Sequence, residues 1–316
     1  MNSIPAVPRR RLGRSGLSIP VVPFGTQGFG GNFGPVSDEE AVVLIHRAVE
    51  LGVNHFDCAR CYGDSLRKLA LALREVPRER LIITGRVCCH SAAKWGGYGE
   101  GWPDYSAERA MSDVEDQLEL LGTTYFDGVL IHDPPEIEPT LATGGTLEGL
   151  LRLKARRLVR NVGFGMRPHD FHQAALATGE VDFFLCFSDY NLIRQTAAER
   201  LLPAAAEAGV GVMNGWSIMQ GLLTGVDIAA AQEAGRWRNH RDAPRALEIQ
   251  RWCQKEAIDL LTLAIQFCLR EGRIHGNPIG SLNVAQLEAN VRAAATPLPE
   301  EVWRRFGERF LDARAR

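Results

Sequence analysis

Ser37 to Asp57 reads SDEEAVVLIHRAVELGVNHFD, and this stretch decides the fold. Ser37 and Glu40 stand in capping-box spacing, so a helix begins there, and Gly52 supplies its stop. The residues that follow, VNHFD, form a short apolar run ending in an acid, which reads as a strand. Upstream, VVPFGT (21–26) reads as another. Two strands joined by one helix form a βαβ unit, which implies a parallel sheet. Working outward, RRLGRSGLSIP (10–20) has two apolar-alternating arms around Gly13 to Gly16 and predicts a hairpin that acts as a lid or plug. Downstream the same rhythm continues. Helices are expected at 65–75, 106–121, 146–158, 168–177, 196–208, near 245–271 and at 283–295. Between them lie the strands LIITGRV, FDGVLIH, NVGFG, VDFFLCF, VGVMNGW and a short GNPIG. Eight strand–helix repeats without a break in composition predict one domain over residues 1–316. Its fold class is α/β, a single closed (β/α)8 TIM barrel with an N-terminal β-hairpin, extended loops at the carboxyl face and a flexible first eight residues or so.

Composition narrows the function classes. The 36 basic and 38 acidic residues give a net charge of -2, and the basic ones are scattered, so no nucleic-acid partner is indicated. The start, MNSIPAVPRR, lacks a signal-peptide core, and no run approaches the roughly 20 apolar residues of a membrane span. The expectation is a soluble cytoplasmic protein acting on a small molecule. Seven cysteines, an odd count in a chain of 316, read as free thiols rather than a disulfide framework. Three connections are long: 88–105 with Trp95, Tyr98, Trp102 and Tyr105; 224–244; and the tail after Pro297 with Trp303, Phe306 and Phe310. The first two follow strands and so belong to the carboxyl face, where barrel enzymes keep their sites. Their aromatics serve either to anchor the loop or to wall a pocket.

Alternate residues of a barrel strand point inward. In LIITGRVC the polar inward set is Thr84, Arg86 and Cys88, while FDGVLIH ends in His132 and VNHFD in Asp57. Tyr62 follows on the loop, in FDCARCYG (56–63). Four ionisable groups thus converge on one barrel mouth, the pattern of an active site. The chemistry suits them, because a phenol is a poor proton donor near neutral pH until a neighbouring charge pair tunes it. Cys58 and Cys61 form a C-x-x-C, and Cys88, Cys89 and His90 follow the next strand. These thiols are read as core fillers and no metal site is expected, with Cys88 the thiol that faces substrate.

These residues resemble the aldo-keto reductase family over nearly the whole chain. The carrying segments are RLGRSGLSIPVVPFGT, GVNHFDCARCYGDS, YFDGVLIHDPP, GVGVMNGWSIMQGLLTG and GNPIGSLNVAQLEANVRA, in family order. The resemblance implies an NAD(P)-dependent oxidoreductase that interconverts a carbonyl and an alcohol on a small to medium-sized substrate. It makes Tyr62 the proton donor, His132 the group that orients the carbonyl oxygen, and Asp57 the holder of the tuning cation. In the family that cation is a lysine; here Arg86 stands in its place, planar and prone to a bidentate grip on a carboxylate. The implied cofactor contacts are Gly25, Thr26, Asp57, Trp216, Ser217, Ile218, Met219, Gly221, Leu222, Gly280, Ser281, Gln286 and Asn290. Cys88, Trp95, Tyr98 and Trp102 would line the substrate pocket. Gly165, Met166 and Phe187 replace the usual amide-binding partners of the nicotinamide. Family precedent favours NADP, with NAD as the other choice. Two further readings stand beside the reductase: non-redox dehydration or isomerisation with Arg86 gripping an anionic substrate, and a catalytically silent nucleotide-binding protein.

Overall fold

The computed structural model describes residues 4–88, 103–237 and 239–311. Trp95, Tyr98, Trp102, Cys89 and His90 lie outside the described residues, as does most of the predicted flexible segment's first part, residues 1–3.

Strands β1 (Arg9–Arg11) and β2 (Ser18–Pro20) pair antiparallel as the predicted hairpin. Seven parallel strands then follow in sequence order: β3 (Phe24–Gly25), β4 (His55–Asp57), β5 (Ile82–Val87), β6 (Gly128–His132), β7 (Val162–Gly165), β8 (Phe183–Phe187) and β9 (Gly211–Gly215). The segment Gly276 to Ile279 closes the ring. It bridges in parallel to Met213 on one side and to Phe24 on the other, with Asn214 N donating to Gly276 O and Gly25 N donating to Ile279 O. Its pairing stays at single bridges partly because Pro278, within it, has no N–H to donate. The predicted eighth strand is therefore present as a seam rather than as a ladder, and the architecture is the expected α/β barrel.

The capping box at Ser37 forms as read: Glu40 N donates to Ser37 Oγ (3.1 Å) and Ser37 N donates to the Glu40 carboxylate (2.8 Å), opening the helix Asp38–Glu50. Three other segments add to or differ from expectation. The helix expected at 196–208 splits into a single turn, Thr196–Ala198, and the helix Leu201–Glu207. Pro203 is tolerated only in a first turn, so the helix has to begin just ahead of it. The helices expected near 245–271 are Ala243–Lys255 and Leu260–Arg270. They part where Ala257 turns left-handed (φ 53°) and Asp259 caps the second helix by accepting from Thr262 N at 2.7 Å. The connection 224–244 carries its own helix, Ile228–Glu233. The tail after Pro297 forms a helix, Glu300–Phe310, whose Phe306 and Phe310 are buried against Trp252 and Phe267. The tail aromatics therefore anchor an element and do not wall a pocket.

The hairpin is a plug. Leu12 and Ile19 are fully buried against Ile82, Leu130, Phe183, Leu185 and Met213, which fills the amino-terminal end of the barrel. Gly13 allows the close approach this needs: its φ is +46°, and a β-carbon there would lie 2.2 Å from Gly211 N. With one end sealed, access to the interior is left at the carboxyl end of the strands.

Candidate active site

Asp57 ends β4, and Thr84 and Arg86 stand two residues apart on β5 with their side chains directed to it. Thr84 Oγ1 donates to Asp57 Oδ1 (3.0 Å), and an Arg86 guanidinium N–H donates to Asp57 Oδ2. Because the Thr84 hydroxyl spends its proton on Asp57, it accepts from His55 Nε2 (3.1 Å), which fixes the Nε2–H tautomer and leaves Nδ1 buried without a partner among the described residues. Gln117 Nε2 donates to Arg86 O at 3.0 Å and holds that strand residue from behind. Burial works against the Arg86 charge, but the neighbouring groups, Asp57 first among them, together outweigh it and raise the guanidinium, so Arg86 keeps its charge.

Tyr62 lies over this pair, its ring centroid 5.5 Å from the Arg86 guanidinium carbon and 5.9 Å edge-on from the His132 ring. Burial pushes the phenol well above its usual range; Arg86 pulls it down, and Asp57 opposes that pull. A phenol so placed holds its proton. His132, at the end of β6, is buried, with Nδ1 toward the Cys61 and Cys88 sulfurs and Nε2 3.6 Å from the Asp133 carboxylate. Asp133 sits at the rim in a left-handed backbone conformation (φ 40°), and partial desolvation raises its carboxyl to about 6 against the pull of Arg86. Cys58 turns the other way, donating to Thr84 O, so the C-x-x-C does not bring its two sulfurs together.

These groups open into a cavity of about 750 Å³. Asp57, Cys61, Tyr62, Arg86, His132 and Asp133 line one part. The rest runs past Gly25, Phe187 and Trp216, along Ser217, Ile218, Gln220 and Gly221, to Gly280, Gln286 and Asn290. Most of the residues expected around a nucleotide therefore share one continuous surface. Four do not present side chains there. Met219 and Leu222 are buried in the core with Ile228 and Ile249 and can meet a ligand only through their backbone. Thr26 is buried, its hydroxyl donating to Asp57 O at 3.2 Å, and Ser281 is buried, accepting from Asn290 Nδ2 at 3.1 Å. Cys88 is buried beneath the mouth, 3.1 Å from Cys61 Sγ, and is not itself among the residues that line the cavity.

Gln27, Asn32, Phe33 and Arg236 also line the cavity and were not singled out from sequence. Arg236 was within reach of that reading, as the cation in GRWRN on a long connection after a barrel strand. It donates to Gln220 O at 3.1 Å over the loop that follows β9.

A family model for the aldo/keto reductase family matches residues 22–308. This chain belongs to that family. It is 31% identical over 300 residues to L-galactose dehydrogenase of Arabidopsis thaliana, covering 92% of this chain and 88% of that protein. It is 25% identical to D-threo-aldose 1-dehydrogenase of a Pseudomonas species, covering 94% and 96%. Among solved structures, an aldo-keto reductase from Bacillus halodurans in its holo form superposes with a TM-score of 0.77 at 22% identity over 96% of each chain, a likeness of fold. Family membership makes the chain an NAD(P)-dependent oxidoreductase of carbonyls and alcohols. No helix among the described residues is long and apolar enough to cross a membrane.

The residues present fit a nicotinamide dinucleotide. Ser217 Oγ is buried with no hydrogen-bond partner among the described residues, on a loop where Trp216, Met219 and Gln220 all hold left-handed backbones (φ 57°, 51° and 55°). An orphaned hydroxyl and a strained loop along a cavity mark a site built for a ligand. Trp216, 37% exposed beside Phe187 (centroids 5.3 Å apart), offers a flat face to a ring.

Proposed function

We propose that this single barrel oxidises a secondary or hemiacetal hydroxyl of a small polyhydroxylated substrate, and runs the reverse reduction, using NAD. The observation that carries the reading is the convergence of Tyr62, His132 and the Asp57–Arg86 pair on the same cavity as Trp216 and the Ser217 loop. The dinucleotide, when bound, supplies the hydride acceptor or donor. This chain's own residues do the rest. Tyr62 donates a proton to the carbonyl oxygen in reduction and receives it in oxidation. His132, edge-on to Tyr62, orients that oxygen. Asp57 fixes Arg86, whose charge keeps the buried phenol from rising further. Gln27, Asn32 and Asp133 supply polar contacts for further hydroxyls. The relatives named for galactose and aldose oxidation support a sugar-like substrate.

Charge favours NAD over the NADP expected from precedent. The adenosine end presents Gly280, Gln286 and Asn290, with the Gln286 carbonyl oxygen already accepting from Leu282 N at 2.8 Å, and no cationic side chain stands among these positions. A 2′-phosphate would meet no cation at these three positions. The bond from Arg86 to Asp57 competes with the reading in which Arg86 grips a substrate carboxylate, and so favours the oxidoreductase reading.

Formation of reduced nicotinamide with a panel of aldoses and simple alcohols tests the proposal. The expected result is turnover with at least one aldose, a lower KM for NAD than for NADP, and loss of about a hundredfold or more in kcat in Tyr62→Phe with nucleotide affinity retained. Nucleotide binding, read as quenching of Trp216 emission, without turnover on any substrate would reject the catalytic reading.

A further inference from the structure

Two sulfurs and one imidazole nitrogen meet at the barrel mouth in a nearly equilateral triangle. Cys61 Sγ lies 3.1 Å from Cys88 Sγ and 3.2 Å from His132 Nδ1, and Cys88 Sγ lies 3.3 Å from that same nitrogen. The three residues come from the loop after β4, the end of β5 and the end of β6, so three neighbouring strands fix their positions. We propose that Cys61, Cys88 and His132 bind one divalent ion of the zinc class, with a fourth coordination position open toward the cavity beside Tyr62.

The donor set is chemically apt. Two thiolates and one neutral imidazole form a Cys2His set, which suits zinc and leaves one position for water or a substrate oxygen. Zinc–sulfur bonds of about 2.3 Å and zinc–nitrogen bonds of about 2.0–2.1 Å in tetrahedral geometry place the donors roughly 3.5–3.8 Å apart, so the triangle has to widen by only about half an ångström. Cys61, half-buried on its loop, has room to give. Two thiolates neutralise the ion, and the neighbouring Asp57–Arg86 pair is itself neutral, so the complete site carries no net buried charge.

The surroundings support the ligands as well. Cys88 N donates to Asp113 Oδ2 (3.2 Å), and Asp113 is held by Arg60 at 3.0 Å, which pins the backbone that carries one sulfur. The Asp133 carboxylate lies on the far nitrogen side of His132, the side on which a metal-bound histidine usually faces a carboxylate. Cys61 and His132 both line the cavity, which supplies the entry path. A thiol pair poised only for oxidation needs no third donor, whereas here the nitrogen is nearly equidistant from both sulfurs.

Binding of the ion is independent of the oxidoreductase reading; its role rests on that reading. With Arg86 locked on Asp57 and the phenol buried, an ion at this point would hold and polarise the substrate oxygen that Tyr62 protonates.

The test uses the full chain, purified under reductant, stripped with EDTA and titrated with Co2+ and then Zn2+. One equivalent of Co2+ should bind with a thiolate-to-cobalt charge-transfer absorption and be displaced by Zn2+. Affinity should fall about a hundredfold or more in Cys61→Ser and in Cys88→Ala, and hold in Cys58→Ser. Circular dichroism and Trp216 quenching by NAD confirm that each variant is folded. The site is overturned if no such absorption develops at millimolar Co2+, if affinity is unchanged in Cys88→Ala, or if the untreated chain is metal-free with both thiols lost to a reducible disulfide. Metal binding without turnover on any substrate would reject the proposed function and leave the site standing. Full turnover in metal-free Cys88→Ala would remove the ion's catalytic role.

Discussion

Arg86 supplies the buried cation beside Tyr62, and its surroundings say what a change there would do. Its guanidinium is buried and bonded to Asp57, and its Nε has no partner among the described residues. Removing the charge by Arg86→Met strands a buried carboxylate, which typically costs about 3–5 kcal/mol, so a large drop in the unfolding midpoint is expected. Arg86→Lys keeps the ion pair and replaces a planar fork by a compact ammonium. Stability should stay close to that of the parent, and activity on generic aldehydes should stay or rise because the ammonium sits closer beneath the phenol. Denaturant unfolding paired with steady-state rates on both variants checks this. Equal stability of parent and Arg86→Met would show that Asp57 and Arg86 do not depend on each other.

At the scale of elements, what could be read in advance was whatever short-range chemistry dictates. Ser37 and Glu40 announce their capping box, Gly52 its helix stop, and Asp57, Arg86 and His132 their strand ends, because caps and strand parity are local rules. The cluster of Cys61, Cys88 and His132 was not legible. C-x-x-C spacing alone would pair Cys58 with Cys61, whereas Cys58 turns to Thr84 and the neighbours of Cys61 come from two other strands. The plug's partners and the seam at Gly276–Ile279 depend on contacts between residues 63 to 255 positions apart, which no local pattern encodes. The C-terminal helix was legible but overlooked: Trp303, Phe306 and Phe310 recur at i, i+3 and i+7, a helical face. Phe306 is fully buried, with its ring centroid 5.9 Å from Trp252, 5.8 Å from Phe267 and 5.2 Å from Phe310. Phe306→Ala should therefore cost about 3–5 kcal/mol. Nucleotide binding at the barrel mouth should persist wherever the fold survives. A loss below about 1 kcal/mol in urea unfolding would mean the helix is not docked as described.

At the scale of the whole molecule, two histidines tie stability to pH. His55 lies inside the barrel beneath Asp57, and His172 packs edge-on against Phe184 (centroids 4.8 Å apart) with its Nε2 unpartnered among the described residues. Burial lowers both to about 3, helped at His55 by the Arg9 charge and at His172 by His169. In the unfolded chain each takes up its proton near pH 6.5, while the folded chain leaves both neutral down to about 3. The unfolded state therefore binds more protons across that window, and stability falls as pH falls through it. Each histidine contributes a loss approaching about 1.4 kcal/mol per pH unit once the unfolded form is protonated, or about 2 kcal/mol between neutrality and pH 5. The slope fades above pH 7 and is negligible by about pH 8. His172→Phe preserves the edge contact with Phe184 as an aromatic pair and removes one titrating group and one orphaned nitrogen. Its urea-derived stability should lose about 2 kcal/mol less than the parent's between pH 7.5 and pH 5. Parallel pH profiles for parent and variant would mean that His172 already carries its proton in the folded barrel.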